Sequence, residues 1–202
     1  MRIKSFVSGI GSYLPNKIIT NDDLSKIIDT TDEWIYKRTG IKQRHVVSEG
    51  LATSDLAFFA AQKALHDAKI IPDDIDMIVV ATTTPEQIFP SCAVAVQDKL
   101  GCVNAFCFDI QAVCSGFIYA VSIADNFISS GRIKNALVIG SESMSKILNW
   151  ADRSTCVLFG DGAGAVVLTA QNTDSCKSEI LDIVLKSDGK LRNILYTSSE
   201  QD

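Results

Sequence analysis

Among six cysteines and two histidines in 202 residues, Cys114 has the setting in which a thiol can act as a nucleophile. It lies in Phe108-Asp109-Ile110-Gln111-Ala112-Val113-Cys114-Ser115-Gly116-Phe117. There an apolar strand ends, the chain turns, and a helix is predicted from Cys114 to Ser130, closed by Gly131. The sulfur then sits at the carboxyl edge of a parallel sheet, where ligands bind in such folds. A helix N-terminus offers unpaired amides and a positive dipole end, and such settings favour a thiolate over a thiol. A thiolate suits thioester substrates, because exchanging one thioester for another costs little. Small Ser115 and Gly116 let a substrate carbonyl approach backbone N–H groups that can serve as an oxyanion hole. The plainer reading is one more packed cysteine, and residue types alone leave both open.

Other chemistries fit less well. There is no C-x-x-C pair, which argues against zinc and thioredoxin-like sites. Gly160-Asp161-Gly162-Ala163-Gly164 is followed by strand-like Ala165-Val166-Val167-Leu168-Thr169, whereas a dinucleotide loop opens a helix. These glycines instead suit two backbones passing closely beneath the site. A net charge of −5 makes nucleic acid an improbable partner, so an anionic ligand needs a local basic cluster. With 47% hydrophobic residues the chain can bury a core. No apolar run reaches the ~18 residues of a membrane span, and the N-terminal apolar stretch breaks at Ser8, Gly9 and Gly11. The expectation is a cytoplasmic protein without membrane contact.

The elements that position Cys114 follow from apolar periodicity. A strand from Ile3 to Ile10 is expected to run into a turn at Gly9-Ile10-Gly11. Short helices open at Asn21 and at Thr30-Thr31-Asp32-Glu33, the second ending at Thr39-Gly40. A longer helix, Asp55 to Ala68, is assigned a cap at Thr53 or Ser54. Buried strands follow at Asp76 to Ala81, Asn104 to Ile110, Asn135 to Gly140 and Ala163 to Ala170, with a helix from Pro90-Ser91 to Gly101. Strands alternating with helices give an α/β layered sandwich.

The Cys114 segment resembles the active-cysteine segment of thiolase-superfamily condensing enzymes, most nearly the β-ketoacyl-acyl-carrier-protein synthase III family. Three further segments carry the resemblance. Asp29-Thr30-Thr31-Asp32-Glu33-Trp34-Ile35-Tyr36-Lys37-Arg38-Thr39-Gly40-Ile41 is similar to that family's coenzyme A segment. Val79-Val80-Ala81-Thr82-Thr83-Thr84-Pro85 with Phe89-Pro90-Ser91 is similar to its dimer-interface region. Asp152-Arg153-Ser154-Thr155 and Phe159-Gly160-Asp161-Gly162-Ala163-Gly164-Ala165 resemble the end of its first half.

The resemblance implies a thiolase-like layered α/β sandwich, the first of two pseudo-symmetric halves. Residues 1–175 would form the half with the nucleophile and residues 176–202 the start of the next. It implies an acyltransferase that initiates type II fatty acid synthesis, condensing acetyl-CoA with malonyl-acyl carrier protein through an acyl-Cys intermediate at Cys114. Trp34 and Arg153 would sandwich the adenine, a role that suits their stacking and cation–π chemistry. Thr30 and Arg38 would join them at the nucleotide end. Phe89 would cross a homodimer interface to close the neighbour's acyl pocket, and Met144, Phe159 and Leu195 would line that pocket. No tightly bound cofactor is implied, acetyl-CoA being a substrate.

The family's second half supplies a His and an Asn for decarboxylative condensation. His45 and His66 precede Cys114 and match neither position. His66 reads as a surface or boundary residue, and His45 belongs to a basic cluster, Lys42-Gln43-Arg44-His45, that is a candidate for the 3′-phosphate of coenzyme A. The sequence is therefore expected to be incomplete for condensation. Alternatives are a related condensing enzyme with another primer, a hydroxymethylglutaryl-coenzyme A synthase, a non-catalytic remnant that binds coenzyme A or only dimerises, and an α/β domain without a ligand.

Overall fold

The computed structural model describes residues 3–171 and 178–197. The centre of the fold is a pair of strands, β4 (Met77–Ala81) and β6 (Asn135–Ser143), apolar on both faces throughout β4 and over Ala136-Leu137-Val138-Ile139 of β6. Alternation divides those side chains between two layers. Ile78, Val80, Leu137 and Ile139 pack beneath α3 (Thr53–Ala68) and α4 (Cys92–Leu100). Met77, Val79, Ala81, Ala136 and Val138 pack beneath α5 (Gly116–Ser129). A five-stranded sheet thus lies between helices, in the order β1-β7-β6-β4-β5. Its remaining strands are β1 (Lys4–Tyr13), β5 (Phe106–Ile110) and β7 (Asp161–Gln171).

Strand β4 is parallel to both β5 and β6, as expected for helix-connected strands. Between β6 and β7 there is no long helix to cross the sheet, and β7 returns antiparallel to β6 and β1. β1 departs from the expected turn: it continues through Gly9 and Gly11 to Tyr13, with a register shift between Val7 and Gly9. A Cβ at Gly9 would press on the Ala64 carbonyl and Ala68, and one at Gly11 on the Ala60 carbonyl and the Ala64 amide. These glycines mark a strand lying directly on a helix.

A satellite layer, not foreseen as a unit, is attached to this sandwich. β2 (Lys17–Thr20) and β3 (Gln43–Val46) form a hairpin sheet. With α1 (Asn21–Leu24), α2 (Asp32–Thr39) and α6 (Arg153–Cys156) it encloses a small core of Leu24, Ile35, Cys156 and Val157. The Thr31 hydroxyl accepts the Trp34 N–H at 3.1 Å to start α2, and Gly40 at φ 72° ends it. The predicted cap of α3 is corrected. Thr53 and Ser54 are helical, Ala52 is the cap residue, and its N–H donates to Asp55 Oδ2 at 2.8 Å. The Thr53 hydroxyl instead lies between Thr84 O and Ser143 Oγ, inside the core.

Residues 178–180 run along the outer edge of β1, where Ile180 N–H donates to Ser5 O at 3.0 Å and Lys4 pairs with Glu179 at 3.0 Å. The boundary expected between residues 175 and 176 lies outside the described residues. Among the described residues no helix is long and apolar enough to cross a membrane.

Candidate active site

Cys114 is positioned by the end of β5. The Asp109 carboxylate accepts N–H bonds from Cys92 (2.7 Å) and Ala93 (2.8 Å) at the start of α4, a cap of about 1 kcal/mol. Burial raises its pKa, partly offset by those two N–H donors. Past this anchor the chain turns sharply. Val113 takes φ +46°, the left-handed region, which a β-branched residue rarely enters. The turn Val113–Ser115 is a 3₁₀ turn, and α5 begins at Gly116 rather than at Cys114 as expected. The fit at Gly116 is close, since a Cβ there would come within 3.2 Å of the Ala81 methyl.

Because Val113 is itself largely exposed, Val113→Gly removes strain of about 1–3 kcal/mol while losing little packing. A rise in the urea midpoint, worth about 1 kcal/mol after the added chain entropy of glycine, is the expected result.

The turn decides which amides are available. Ser115 N–H donates to Ala112 O at 3.1 Å, and Gly116 N–H caps back onto Val113 O. These two, expected to face a substrate carbonyl, are already engaged. The Cys114 N–H makes no hydrogen bond among the described residues. Cys114 lines a hollow of about 330 Å³ together with Leu14, Ala81, Phe117, Glu142, Gly162 and Ala163 among others. A Cβ at Gly162 would fall 2.9 Å from the Leu14 side chain, so this glycine keeps the floor of the hollow open. Glu142 is fixed by Thr83 N–H at 2.8 Å and the Thr84 hydroxyl at 2.6 Å, tying the hollow to the loop that leads to Phe89.

Burial separates the cysteines. Cys92, Cys102 and Cys156 are buried and Cys107 is partly buried, whereas Cys114 is exposed. Burial pushes the Cys102 and Cys107 thiols up to about 11, and the Cys92 and Cys156 thiols are also raised by burial. Such thiols stay protonated at neutral pH and behave as small hydrophobes. Cys176 lies outside the described residues.

The satellite layer brings the proposed nucleotide residues together. Arg38 Cζ lies 4.4 Å and Arg153 Cζ 4.7 Å from the Trp34 ring centre. Arg153 Nη1 also donates to Asp29 O at 2.7 Å. An aromatic ring entering between Trp34 and a guanidinium needs about twice van der Waals separation, roughly 7 Å, so one arginine must swing aside. The Thr30 hydroxyl, just before α2, is buried without a partner among the described residues.

The other expected residues stand apart. Phe89 is 83% exposed beside Ile88 at 98%. Met144 and Phe159 are half-buried and Leu195 is exposed, and none of these four lines the hollow around Cys114. Of the residues that do line it, Leu14 carries no signal in sequence, and Phe117 closes the Cys114 segment but is assigned no role. The basic cluster is corrected. β3 alternation turns Arg44 inward, where it is 4% exposed, and His45 Nδ1 bonds Pro15 O at 2.6 Å. His66 is exposed. Among the described residues, no group of three or more His, Cys, Asp or Glu side chains could hold a metal ion.

A layered sandwich around a mixed sheet, with an exposed cysteine at the turn from a parallel strand into a helix, is the architecture of a thiolase-like protein. Residues 108–189 match the family described as 3-oxoacyl-[acyl-carrier-protein (ACP)] synthase III. The chain is 61% identical over 195 residues to β-ketoacyl-[acyl-carrier-protein] synthase III of Ehrlichia canis, covering 96% of this chain and 60% of that protein. The same enzyme of Xanthomonas oryzae is 52% identical, with 59% of it covered. Among solved structures, 3-oxoacyl-(acyl carrier protein) synthase III of Pseudomonas aeruginosa superposes with TM-score 0.92 at 40% identity, covering 98% of this chain and 61% of that one. The Aquifex aeolicus enzyme gives TM-score 0.81 at 51% identity, covering 85% and 55%. Along nearly its whole length the chain is similar to β-ketoacyl-acyl-carrier-protein synthase III proteins, and it spans about 60% of the length of the curated relatives it matches.

Proposed function

We propose that this chain carries the acyl-accepting part of a condensing enzyme that initiates type II fatty acid synthesis. The observation that carries the reading is the exposed Cys114 at a strained strand-to-helix turn, with its own N–H unbonded, while the other described thiols are buried or half-buried. The Cys114 sulfur attacks the carbonyl of acetyl-CoA. A sulfur–carbon bond forms at Cys114, the carbon–sulfur bond to coenzyme A breaks, and the thiol proton ends on the departing coenzyme A. The Cys114 N–H supplies one donor to the oxyanion. Malonyl-acyl carrier protein is then decarboxylated and condensed with the acetyl group, a step that in the family uses a His and an Asn of the second half.

The nucleotide end of coenzyme A is assigned to Trp34, Arg38, Arg153 and Thr30. Arg153 swings off Trp34 to admit the adenine, and the unpartnered Thr30 hydroxyl is a waiting polar contact. α5 supports the division into residues 1–175 and 176–202. Apart from the polar stripe Ser122, Asp125, Asn126 and Ser129 it is apolar, yet Ile118 is exposed and Phe117 and Val121 are only half-covered, which suits a helix shared between two halves.

A homodimer is supported by β5, an apolar edge strand whose outer side is unpaired among the described residues. Phe89 and Ile88 project from the loop before α4. In the second copy Phe89 would close the acyl pocket, with Met144, Phe159 and Leu195 contributing.

The test is release of free coenzyme A thiol from acetyl-CoA by the purified chain. One equivalent per chain is expected in a single burst, whereas a remnant that only binds coenzyme A releases none. Trp34→Ala is expected to raise the half-saturating acetyl-CoA concentration about tenfold, consistent with one lost stacking and cation–π site, and to leave the burst size unchanged. A smaller burst at saturating acetyl-CoA would place Trp34 in the chemistry rather than in binding.

A further inference from the structure

Arg44 is a buried cation, and its hydrogen bonds go only to neutral acceptors. Its guanidinium donates through Nη1 to Ile19 O at 3.2 Å and through Nη2 to Asn21 Oδ1 at 2.8 Å and Val157 O at 3.2 Å. Nε has no partner. Burial lowers its pKa, and no carboxylate bonds it. A buried charge without a counter-ion is costly, and a planar fork with fixed donors can set distances between segments.

The segments it joins are informative. Asn21 passes the connection on: its Nδ2 donates to Asp32 Oδ1 and to Ile41 O, both at 2.7 Å. Asp32 opens α2 and Ile41 follows the glycine that ends it, so Asn21 holds both ends of the helix bearing Trp34 and Arg38. Val157, the other acceptor, is the residue that caps the C-terminus of α6, whose first residue is Arg153. A single guanidinium therefore spans the two helices whose side chains meet at Trp34. The packing around it is close. A Cβ at Gly160 would come within 3.1 Å of Arg44 Cβ and 3.0 Å of His45 O, and Asp161 Oδ2 takes the Val47 N–H at 2.7 Å.

We propose that Arg44 is a positioning residue that sets the spacing between Trp34 and Arg153, and so the affinity for the nucleotide end of an acyl-coenzyme A donor. The proposal rests on the assignment of that end to Trp34 and Arg153. It touches no reacting atom, so its effect is confined to donors that carry a nucleotide.

The test compares acetyl-CoA with S-acetyl-pantetheine, which has the same thioester but no nucleotide, as acyl donors to the full chain. Arg44→Lys keeps the charge and loses the fork. Asn21→Ser leaves Arg44 in place, breaks its link to α2, and answers the question should Arg44→Lys not fold. Each folded variant is expected to need about tenfold more acetyl-CoA for half-maximal acylation, the loss of one well-placed charged hydrogen bond, with the maximal rate and the S-acetyl-pantetheine rate unchanged. Equal slowing with both donors, or no change with either, overturns the role for Arg44. If the unaltered chain itself shows no preference for acetyl-CoA over S-acetyl-pantetheine, the nucleotide-site assignment falls and the proposal falls with it.

Discussion

Cys114→Ser is expected to slow acetyl transfer from acetyl-CoA by at least about a thousandfold, or about 4 kcal/mol of lost barrier reduction. The change replaces one atom, so the 3₁₀ turn, the Val113 conformation and the free Cys114 N–H remain as they are. What is lost is the nucleophile, since a serine hydroxyl does not ionise near neutral pH without a base beside it. The companion result is that Cys102→Ala and Cys107→Ala leave the acylation rate within about twofold, because burial already holds both thiols protonated near 11. Rates are followed by thiol release under saturating acetyl-CoA. A rate for Cys114→Ser close to that of the parent would move the chemistry to another residue.

Gly11→Val carries the largest expected effect on stability. A side chain at Gly11 meets backbone atoms of α3, the Ala60 carbonyl and the Ala64 amide, which cannot move without separating β1 from the helix. The loss is expected to exceed about 3 kcal/mol, at the severe end for single substitutions, and to appear as a urea midpoint shifted down or as insoluble protein. Gly164→Ala is the matched control. It lies in β7 with nothing within 4 Å of its Cβ position, and a change within about 0.5 kcal/mol is expected. If the two variants unfold at the same urea concentration, β1 does not rest on α3 through its glycines.

The contrast between these glycines shows what the sequence could and could not convey. β4 and the Ala136-Leu137-Val138-Ile139 part of β6 are legible because strand segments covered on both faces must be apolar at successive positions, and that pattern needs no partner to be recognised. α2 is legible because Thr31 and Gly40 terminate it with local chemistry. Gly9 and Gly11 read as a turn because their reason for being glycine lies in Ala60, Ala64 and Ala68, some fifty residues away.

The same nonlocality hid Arg44. Among Lys42, Arg44 and His45 it looks like part of a charged surface, and only the pairing of β3 with β2 turns it inward. At the candidate site, the turn after β5 and the identity of Cys114 were visible, but the choice of amide was not. Whether Ser115, Gly116 or Cys114 offers a free N–H depends on where the 3₁₀ turn gives way to α5. The members of the hollow, Leu14 and Phe117, come from separate parts of the chain and share no motif.

The central claim concerns a single sulfur, and peptide mapping after a short exposure to acetyl-CoA tests it most directly. The purified, folded chain is quenched, digested and weighed fragment by fragment. One acetyl group on the fragment containing Cys114, and none on those containing Cys92, Cys102, Cys107 or Cys156, is the expected pattern. Acetyl groups on another cysteine, or an unmodified folded chain, would contradict the account.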